Sequence, residues 1–183
     1  MSRCRPGISW WVIHKVVESW RPFVTLNQTN LLTPENFSSM LDSRGWNLDL
    51  VAYIDGGSHG NPGPSGIGVV IEHTGGHKIR IAKRIGHQDN NVAEYVALLE
   101  ALQYAHGQKA TTLRVYSDSE VVVRQMSGEY ACLSPRLYSL NWTCRKLARS
   151  LDFSIVHVPR EDNSEANSLA NDAVRTQADP RAW

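Results

Sequence analysis

The sequence predicts an α/β domain in which helices pack on the faces of a mixed β-sheet. Two observations lead to this prediction. From Leu48 onward, strand-like and helix-like stretches alternate along the chain, without an internal repeat or a low-complexity segment. The first three strand-like stretches are joined by short turns, which favours an antiparallel meander.

The first three strands are bounded by loops rich in glycine and proline. The motif Asn61-Pro-Gly-Pro64 separates the first two strands, and His73-Thr-Gly-Gly76 separates the second from the third. These residue types favour turns because they supply backbone conformations that strands lack. The predicted strands are Leu48 to Ile54, Gly66 to Glu72 and Lys78 to Ile85.

The remaining elements follow from apolar spacing and from stop signals. Asn91 to His106 is predicted as a helix because Val92, Tyr95, Leu99 and Leu102 recur on one face, and Gly107 ends it. In the later helix that begins at Pro135, Ser134 is the predicted N-cap residue. The later elements are a strand at Thr112 to Tyr116, a helix at Ser119 to Met126 ended by Gly128, a helix at Pro135 to Leu151, a strand at Phe153 to Val158 and a helix at Ser164 to Arg175.

Composition limits the class of protein. The 183 residues suit one domain with an appendage, and we assign residues 1–47 to an accessory segment, 48–176 to the main domain and 177–183 to a tail. Three cysteines without a Cys-x-x-Cys pattern indicate neither a disulfide framework nor a zinc site. The apolar run from Ile8 to Ile13 is too short for a membrane span or a signal peptide. We therefore expect a soluble, cytoplasmic protein.

The net charge does not indicate a polyanionic partner that binds through an overall positive charge. The formal net charge is +1 at pH 7, whereas proteins that bind nucleic acid mainly through charge carry a clear basic excess. If the substrate is nucleic acid, local geometry must therefore contribute much of the recognition.

Three carboxylates stand where the predicted fold would bring them together. Asp55 follows the first strand, Asp118 follows the fourth, and Glu94 lies in the first turn of the intervening helix. Each has an ordinary interpretation on its own: a turn residue, a helix N-cap, and a charge that suits the helix dipole. Together they predict a site for Mg²⁺ or Mn²⁺, because clustered carboxylates repel unless a hard cation joins them. Two such ions can promote attack on a phosphodiester.

Four segments, in this order, resemble the type 1 ribonuclease H family over Leu48 to Arg175. Any one of them alone is a weak signal, but the four together are specific. They are Tyr53-Ile-Asp-Gly-Gly-Ser-His-Gly-Asn-Pro-Gly-Pro-Ser-Gly-Ile-Gly68, Asn90-Asn-Val-Ala-Glu-Tyr95, Tyr116-Ser-Asp-Ser-Glu120 and Val156-His-Val-Pro-Arg-Glu-Asp-Asn-Ser-Glu-Ala-Asn-Ser-Leu-Ala-Asn171.

The resemblance implies a fold and an activity. The fold is a five-stranded sheet in the order 3-2-1-4-5, with strand 2 antiparallel to the rest. The activity is metal-dependent hydrolysis of the RNA strand of an RNA/DNA hybrid, leaving 5′-phosphate and 3′-hydroxyl ends. Asp55 would bridge two metal ions, and Glu94 and Asp118 would complete the site of one of them.

The resemblance also implies a set of substrate contacts in the loops near the carboxylates. Glycines let a nucleic-acid backbone approach closely, and the ribose 2′-hydroxyl distinguishes RNA from DNA. For the three asparagines in the set, a simpler role as turn or cap residues stays open. The predicted substrate-binding residues are Gly56, Gly57, Ser58, Asn61, Asn90, Asn91 and Ser119.

The sequence departs from the family pattern at the fourth acidic ligand, where Asn167 stands. An amide oxygen can still bind Mg²⁺, but it carries no charge. We therefore expect weakened rather than absent activity, with a preference for Mn²⁺. Compensation by Asp162, Glu165 or Asp172 is an alternative, although Glu165 and Asp172 should project from other faces of the helix.

A second departure is that the segment from Gly128 to Leu133 is too short for the basic helix and handle loop of many family members. The chain is similar to the handle-less archaeal and bacterial branch, and weaker binding at physiological salt should follow. Arg160 is the predicted contact with the scissile phosphate, and His157 is a second candidate for which a structural role is the favoured interpretation. Candidate phosphate contacts elsewhere are Lys83, Arg84, Arg124, Arg136 and Arg145.

Two other interpretations remain. A catalytically impaired hybrid-binding module is one, because Asn167 would mark decay of the metal site. The nuclease domain of a retroelement polyprotein is the other, although the start at Met1 and the end at Trp183 favour a free-standing protein. We expect a monomer. Residues 1–47 hold four of the six tryptophans and are predicted to be an accessory segment. Arg5-Pro-Gly-Ile8 faintly resembles the hybrid-binding domain that precedes some family members, but the flanking strand and the basic residues of that domain are missing.

Overall fold

A computed structural model describes residues 48–175 of the protein. The predicted accessory segment (1–47) and tail (177–183) lie outside the described residues, and the boundaries assigned to them stay predictions.

The described part contains one five-stranded sheet in the order β3-β2-β1-β4-β5. Strand β2 is antiparallel to both of its neighbours, whereas β1 pairs with β4, and β4 with β5, in parallel. The predicted strand order and the antiparallel second strand are therefore confirmed. The strands are β1 (Asp49–Ser58), β2 (Gly63–His73), β3 (Lys78–Gln88), β4 (Thr112–Ser117) and β5 (Asp152–His157).

Three α-helices lie between these strands, and a short 3-10 helix and a fourth α-helix follow the last strand. Gly128 ends α2 in the left-handed conformation with φ of 91°, as its sequence position predicts. Ser134 is the N-cap of α3, but its side chain makes no capping hydrogen bond. Residues 128–134 contain no helix, which agrees with a chain that lacks the handle. The helices are α1 (Asn90–Gly107), α2 (Glu120–Ser127), α3 (Pro135–Ala148), the 3-10 helix (Arg160–Asn163) and α4 (Ser164–Arg175).

Strand β1 is longer than its sequence pattern predicts. Its parallel pairing with β4 stops at Ile54, opposite Ser117, but its antiparallel pairing with β2 continues to Ser58. The prediction that Asp55 follows the strand is therefore wrong, because Asp55 lies inside it. The glycines after Asp55 favour a turn locally, yet the pairing with β2 holds them in extended structure.

The two faces of the sheet carry different helices. Leu50, Ala52 and Ile54 lie on one face of β1 and belong to the main hydrophobic core together with residues of α1. Asp55 lies on the other face of the strand. On the opposite face, α4 packs closely against β2. A β-carbon added at Gly68, the partner of Asp55, would stand 2.0 Å from the carbonyl oxygen of Ala166 in α4. A side chain at Gly68 would therefore push α4 away from the sheet.

A buried polar network joins the three helices that pack together beside the core. The Tyr95 hydroxyl donates a hydrogen bond to Gln125 Oε1 at 2.7 Å and accepts one from Asn141 Nδ2 at 2.8 Å. These residues lie on α1, α2 and α3 respectively, so the network fixes the position of α3 relative to α1.

Candidate active site

Three carboxyl groups converge at the end of the β1–β4 pair. Asp55, Glu94 and Asp118 each offer one oxygen atom, and these oxygens all lie within 4.8 Å of one another. Asp55 and Glu94 are buried, with 5% and 7% of their surfaces exposed, and Asp118 is half-buried. The convergence expected from the sequence is therefore present, and it unites residues that are up to 63 positions apart in the chain (118 − 55).

Close contact between β1 and α1 brings Glu94 into this cluster. A β-carbon at Gly56 would stand 2.2 Å from the backbone nitrogen of Glu94, so only glycine permits the approach. The Gly56 backbone N–H donates to Glu94 Oε2 at 3.2 Å. The structure thus gives Gly56 a packing role, and its predicted contact with substrate stays a prediction.

Asn163 holds Asp118 in place, and the sequence analysis did not include it among the site residues. Its Nδ2 group donates to Asp118 Oδ1 at 3.0 Å and to the Ile54 carbonyl at 2.9 Å. Only 1% of Asn163 is exposed, although it belongs to a polar segment that resembles a solvated loop. Asn163 lies within the last family-like segment, and this position could have indicated a role in the site. The polar residues around it instead favoured an exposed loop.

The electrostatics of the cluster disfavour three simultaneous negative charges. Burial and the neighbouring Asp118 carboxylate raise the pKa of Asp55 to about 6, against a partial lowering by the Arg160 guanidinium. Burial, followed by repulsion from Asp55 and Asp118, raises the pKa of Glu94 well above its usual value. The cluster is therefore short of positive charge at neutral pH.

A divalent cation of the hard class would fit this donor set. The three candidate ligands are all carboxylate oxygens, which Mg²⁺ and Mn²⁺ prefer over the nitrogen and sulfur ligands of softer metals. A cation would also offset the repulsion that raises the pKa values of Asp55 and Glu94. The cofactor prediction agrees with this geometry, while the identity and number of the ions stay predictions.

Asn167 lies beside Asp55, one residue after the Ala166 carbonyl that contacts Gly68. Its amide has two orientations. In one, the oxygen accepts from Asn171 Nδ2 at 2.9 Å while the nitrogen opposes the Arg160 guanidinium. In the other, the oxygen accepts from Arg160 Nη2 at 2.7 Å and from Nε at 3.1 Å. The second is favoured, because it satisfies two charged donors with one carbonyl oxygen.

Arg160 and His157 differ in their relation to the carboxylates. Arg160 begins the 3-10 helix, contacts Asn167 and lies close enough for its charge to lower the pKa values of Asp55 and Glu94. His157 ends β5 opposite Ser117 and is exposed. Within residues 48–175 its side chain forms no hydrogen bond or ion pair. The geometry thus supports Arg160 more than His157 as a contact for a bound phosphate.

Glu165, one of the alternative candidates for a fourth carboxylate ligand, is engaged by two basic residues of β3. Glu165 accepts hydrogen bonds from Lys78 Nζ at 3.1 Å and from Arg80 Nε at 2.6 Å, on strand β3. The cationic partners hold the pKa of Glu165 below its usual value. Glu165 therefore serves the packing of α4 on the sheet. Asp162 and Asp172 are absent from the converging carboxyl groups among the described residues.

The predicted substrate-binding residues form a connected loop surface. Asn61 Oδ1 accepts from the Asn90 backbone N–H at 3.0 Å, and Asn90 Oδ1 accepts from the Ser58 backbone N–H at 3.2 Å. These two amide oxygens are structural, as the simpler interpretation holds, while Asn91 is exposed. Gly57 has open space beside it, which leaves room for a close backbone approach. Substrate contact by these residues stays a prediction.

Ser119 is the N-cap of α2 and directly follows Asp118. Its backbone N–H donates to Ser117 Oγ at 3.1 Å, so the loop that carries Asp118 is hydrogen-bonded to the end of β4. The predicted role of Ser119 in substrate binding is not tested by this contact.

Most of the candidate phosphate-binding cations have partners within the domain. Lys83 pairs with the buried Glu100 at 2.7 Å, and Arg124 pairs with Glu120 at 2.7 Å. The other two engaged residues are Arg136, which pairs with Asp89, and Arg145, which donates to the Gln125 carbonyl. Few of these cations would be available to phosphates without giving up an internal contact.

This sheet order, together with three converging carboxylates at the end of β1 and β4, defines a ribonuclease H-like domain. Comparisons with known proteins agree. Residues 53–173 match the reverse transcriptase-like family. Ribonuclease HI of Halobacterium salinarum is 38% identical over 125 residues, which cover 67% of this chain and 63% of that protein. A bifunctional protein of Mycobacterium tuberculosis is 40% identical over 141 residues, which cover 74% and 38% respectively.

Solved structures give the same result. The crystal structure of RNase H1 from Halobacterium salinarum has a TM-score of 0.67 and 36% identity, covering 70% of this chain and 99% of that one. LC11-RNase H1 in complex with an RNA/DNA hybrid has a TM-score of 0.64 and 38% identity, covering 69% and 97%. The chain belongs to the type 1 ribonuclease H family, within the reverse transcriptase-like group, which confirms the resemblance.

The matched region spans 63% of the length of the Halobacterium relative and 38% of the length of the mycobacterial one. Within residues 48–175, none of the helices combines the length and the apolar character that crossing a membrane requires.

Proposed function

We propose that the protein is an endonuclease that hydrolyses the RNA strand of RNA/DNA hybrids with the help of two divalent metal ions. The observation that carries the proposal is the convergence of Asp55, Glu94 and Asp118 within 4.8 Å. Relatives named Ribonuclease HI, and a solved relative in complex with an RNA/DNA hybrid, support the substrate class.

Each residue near the carboxylates has a proposed task. Asp55, Glu94 and Asp118 would hold Mg²⁺ or Mn²⁺, with the Asn167 oxygen as a weak fourth ligand. Bound ions would polarise the scissile phosphate and lower the pKa of the attacking water. Arg160 would release Asn167 and contact the phosphate. In-line attack on phosphorus with departure of the 3′ oxygen leaves a 5′-phosphate and a 3′-hydroxyl.

The loop surface would provide the preference for RNA. Gly57, Ser58 and Asn91 border the carboxylate cluster along the end of β1 and the start of α1. A ribose 2′-hydroxyl both donates and accepts hydrogen bonds, so backbone and side-chain groups in this position distinguish RNA from DNA.

The test is incubation of a strand-labelled RNA/DNA hybrid with Mg²⁺ and then with Mn²⁺. We expect cleavage of the RNA strand alone, with greater activity in Mn²⁺, and no cleavage by the Asp55→Asn variant. Double-stranded RNA and double-stranded DNA of the same sequence serve as substrate controls. Cleavage of the DNA strand, or equal cleavage of double-stranded RNA, would contradict the proposal.

A second candidate function is hybrid binding without catalysis. The neutral Asn167 in the place of an acidic ligand favours it, whereas the three remaining carboxylates favour an enzyme. The same assay separates the two, because a binding module would retain the hybrid in both metals and leave the RNA strand intact.

Location and assembly complete the proposal. We place the protein in the cytoplasm as a monomer. Free thiols at Cys132 and Cys144 agree with a reducing compartment. A monomer is sufficient because the three carboxylates come from one chain.

A further inference from the structure

Helix α3 carries an exposed face that combines aromatic rings with positive charge. Tyr138 and Trp142 lie one turn apart and leave 63% and 56% of their surfaces exposed. Lys146 and Arg149 follow on the same side at helical spacing, and both are exposed. We call these four residues the α3 face. Two large exposed rings together mark an interaction surface, because single exposed apolar residues are ordinary but clusters are not.

The charge of this face is one-sided. Helix α3 contains three basic residues and no acidic one, and Arg149 directly follows it. Lys146 Nζ stands 5.3 Å from the centre of the Trp142 ring, so cation and ring form one unit. Within residues 48–175, neither Lys146 nor Arg149 forms an ion pair, whereas Arg136 on the same helix is paired. The α3 face therefore has charge available for an anionic partner.

Helix α3 begins beside the predicted hybrid-binding loops. Arg136, in the first turn of α3, pairs with Asp89, the N-cap of α1. Asp89 directly precedes Asn90 and Asn91, two of the predicted substrate contacts. From this junction the 14 residues of α3 extend about 20 Å. Tyr138 and Trp142 lie on another side of α3 from Arg136, within this length, so a flexible single strand that leaves the loops along α3 could reach them.

We infer that the α3 face binds a single-stranded extension of the nucleic acid that flanks the hybrid. This inference rests on the proposed function. Bases within a duplex are stacked on each other and do not reach protein rings, whereas unpaired bases stack on aromatic side chains while lysine and arginine contact the phosphates. Tyr138 and Trp142 provide two stacking positions, and Lys146 and Arg149 provide the charge. The excess of cations favours a polyanion over a protein partner.

The inference predicts a dependence of affinity on single-stranded extensions. The test uses the full chain with Asp55→Asn to prevent cleavage, and compares a blunt hybrid with the same hybrid extended by single-stranded DNA or RNA at each end in turn. We expect at least one extension to lower Kd about tenfold, which corresponds to one or two stacked bases. Adding Trp142→Ala should remove most of this gain and leave the Kd for the blunt hybrid unchanged.

Two further variants make the test specific. Lys146→Gln should reduce the gain and also its sensitivity to salt, because it removes one phosphate contact. Thr74→Ala changes an exposed residue in the turn between β2 and β3, away from α3, and should have no effect. Thermal unfolding of each variant shows that the fold is retained.

The outcomes separate the inference from the proposed function. Equal Kd values for blunt and extended hybrids, which a protein-binding role of the α3 face would also give, overturn the inference. An equal loss of both affinities in Trp142→Ala overturns it as well, because the ring would then serve duplex binding. Failure of the protein with Asp55 to cleave a blunt hybrid overturns the proposed function instead, and leaves the extension measurement valid.

Discussion

At the scale of single residues, Asn167 is the position where the candidate metal centre departs from the family pattern, and we propose that it weakens metal binding there. Its neutral amide lies beside Asp55 and, in the favoured orientation, accepts two hydrogen bonds from Arg160. An acidic residue in this position would add a charged ligand. With asparagine there, the proposed site has three carboxylates as charged ligands and Arg160 as the neighbouring positive charge.

Replacing Asn167 with aspartate should raise hydrolysis of the hybrid RNA strand in Mg²⁺ several-fold, because a charged oxygen binds the cation more strongly than an amide. The gain should be smaller in Mn²⁺, if the wild type already uses that ion. Initial rates at saturating hybrid concentration measure this effect.

The control for this change is Ser168→Asp, which adds the same charge at an exposed position of α4 next to Asn167. We expect at most a small change in rate from it. Equal activation by both variants would show that general charge, and not ligation beside Asp55, causes the effect.

Asp55 should make the metal-free protein less stable at neutral pH. Its folded-state pKa of about 6 exceeds the unfolded value of about 3.9, so the folded state binds this proton more tightly. The contribution of Asp55 to the free energy of unfolding therefore falls as pH rises from about 4 to about 6, and stays low above that range.

Asp55→Asn should raise the free energy of unfolding of the metal-free protein by about 2 kcal/mol at neutral pH, which corresponds to an increase in Tm of about 5 °C. Thermal unfolding in the presence of a chelator measures this difference, which should disappear below about pH 4. Added Mg²⁺ should raise the Tm of the wild type and not that of the variant. A variant less stable than the wild type at neutral pH would contradict the account of repulsion within the cluster.

At the scale of elements, close contacts at glycines bring the helices to the site. The missing side chain of Gly56 admits α1, which carries Glu94, and that of Gly68 admits α4, which carries Asn167. The positions of Glu94 and Asn167 beside Asp55 therefore depend on how closely α1 and α4 pack against the sheet.

Gly68→Ala should displace α4, because the new β-carbon would stand 2.0 Å from the Ala166 carbonyl. We expect a loss of about 2 to 3 kcal/mol in the free energy of unfolding, typical of overpacking, together with a lower cleavage rate. Chemical unfolding and the hybrid assay measure the two effects. Gly75→Ala is the control, since a β-carbon at Gly75 meets nothing within 4 Å. Wild-type stability in Gly68→Ala would contradict this role of Gly68.

The sequence predicted the order and type of the elements better than their ends. The prediction of α1 as a helix is confirmed, although Val92 and Leu99 of the predicted apolar face are only half-buried, and Pro135 marks the start of α3. The predicted end of β1 was wrong. The glycines after Asp55 indicate a turn locally, but pairing with β2 holds them in extended structure. The sequence did not indicate Asn163 as a site residue for a related reason. Its burial depends on contacts with Ile54 and Asp118, which are 109 and 45 positions away in the chain.

At the scale of the whole molecule, the charge distribution leaves little positive charge for binding a nucleic acid. The proposed binding therefore depends more on the shape of the site than on overall charge. The net charge is +1, and Lys83, Arg124 and Arg136 are held in internal ion pairs. A domain of this kind, without a basic handle between α2 and α3, has few cations available for phosphates. In the proposed function, the carboxylate cluster and the loops around it therefore supply most of the selectivity, and the α3 face adds to it.

The most direct measurement is a calorimetric titration of the full chain with Mn²⁺, because the whole proposal depends on the three carboxylates binding divalent cations. We predict saturable binding by the wild type, and loss of that binding in Asp55→Asn and in Glu94→Gln. Glu165→Gln, which removes a carboxylate paired with Lys78 and Arg80, should bind Mn²⁺ as the wild type does. Unchanged Mn²⁺ binding in Asp55→Asn and Glu94→Gln would contradict the account.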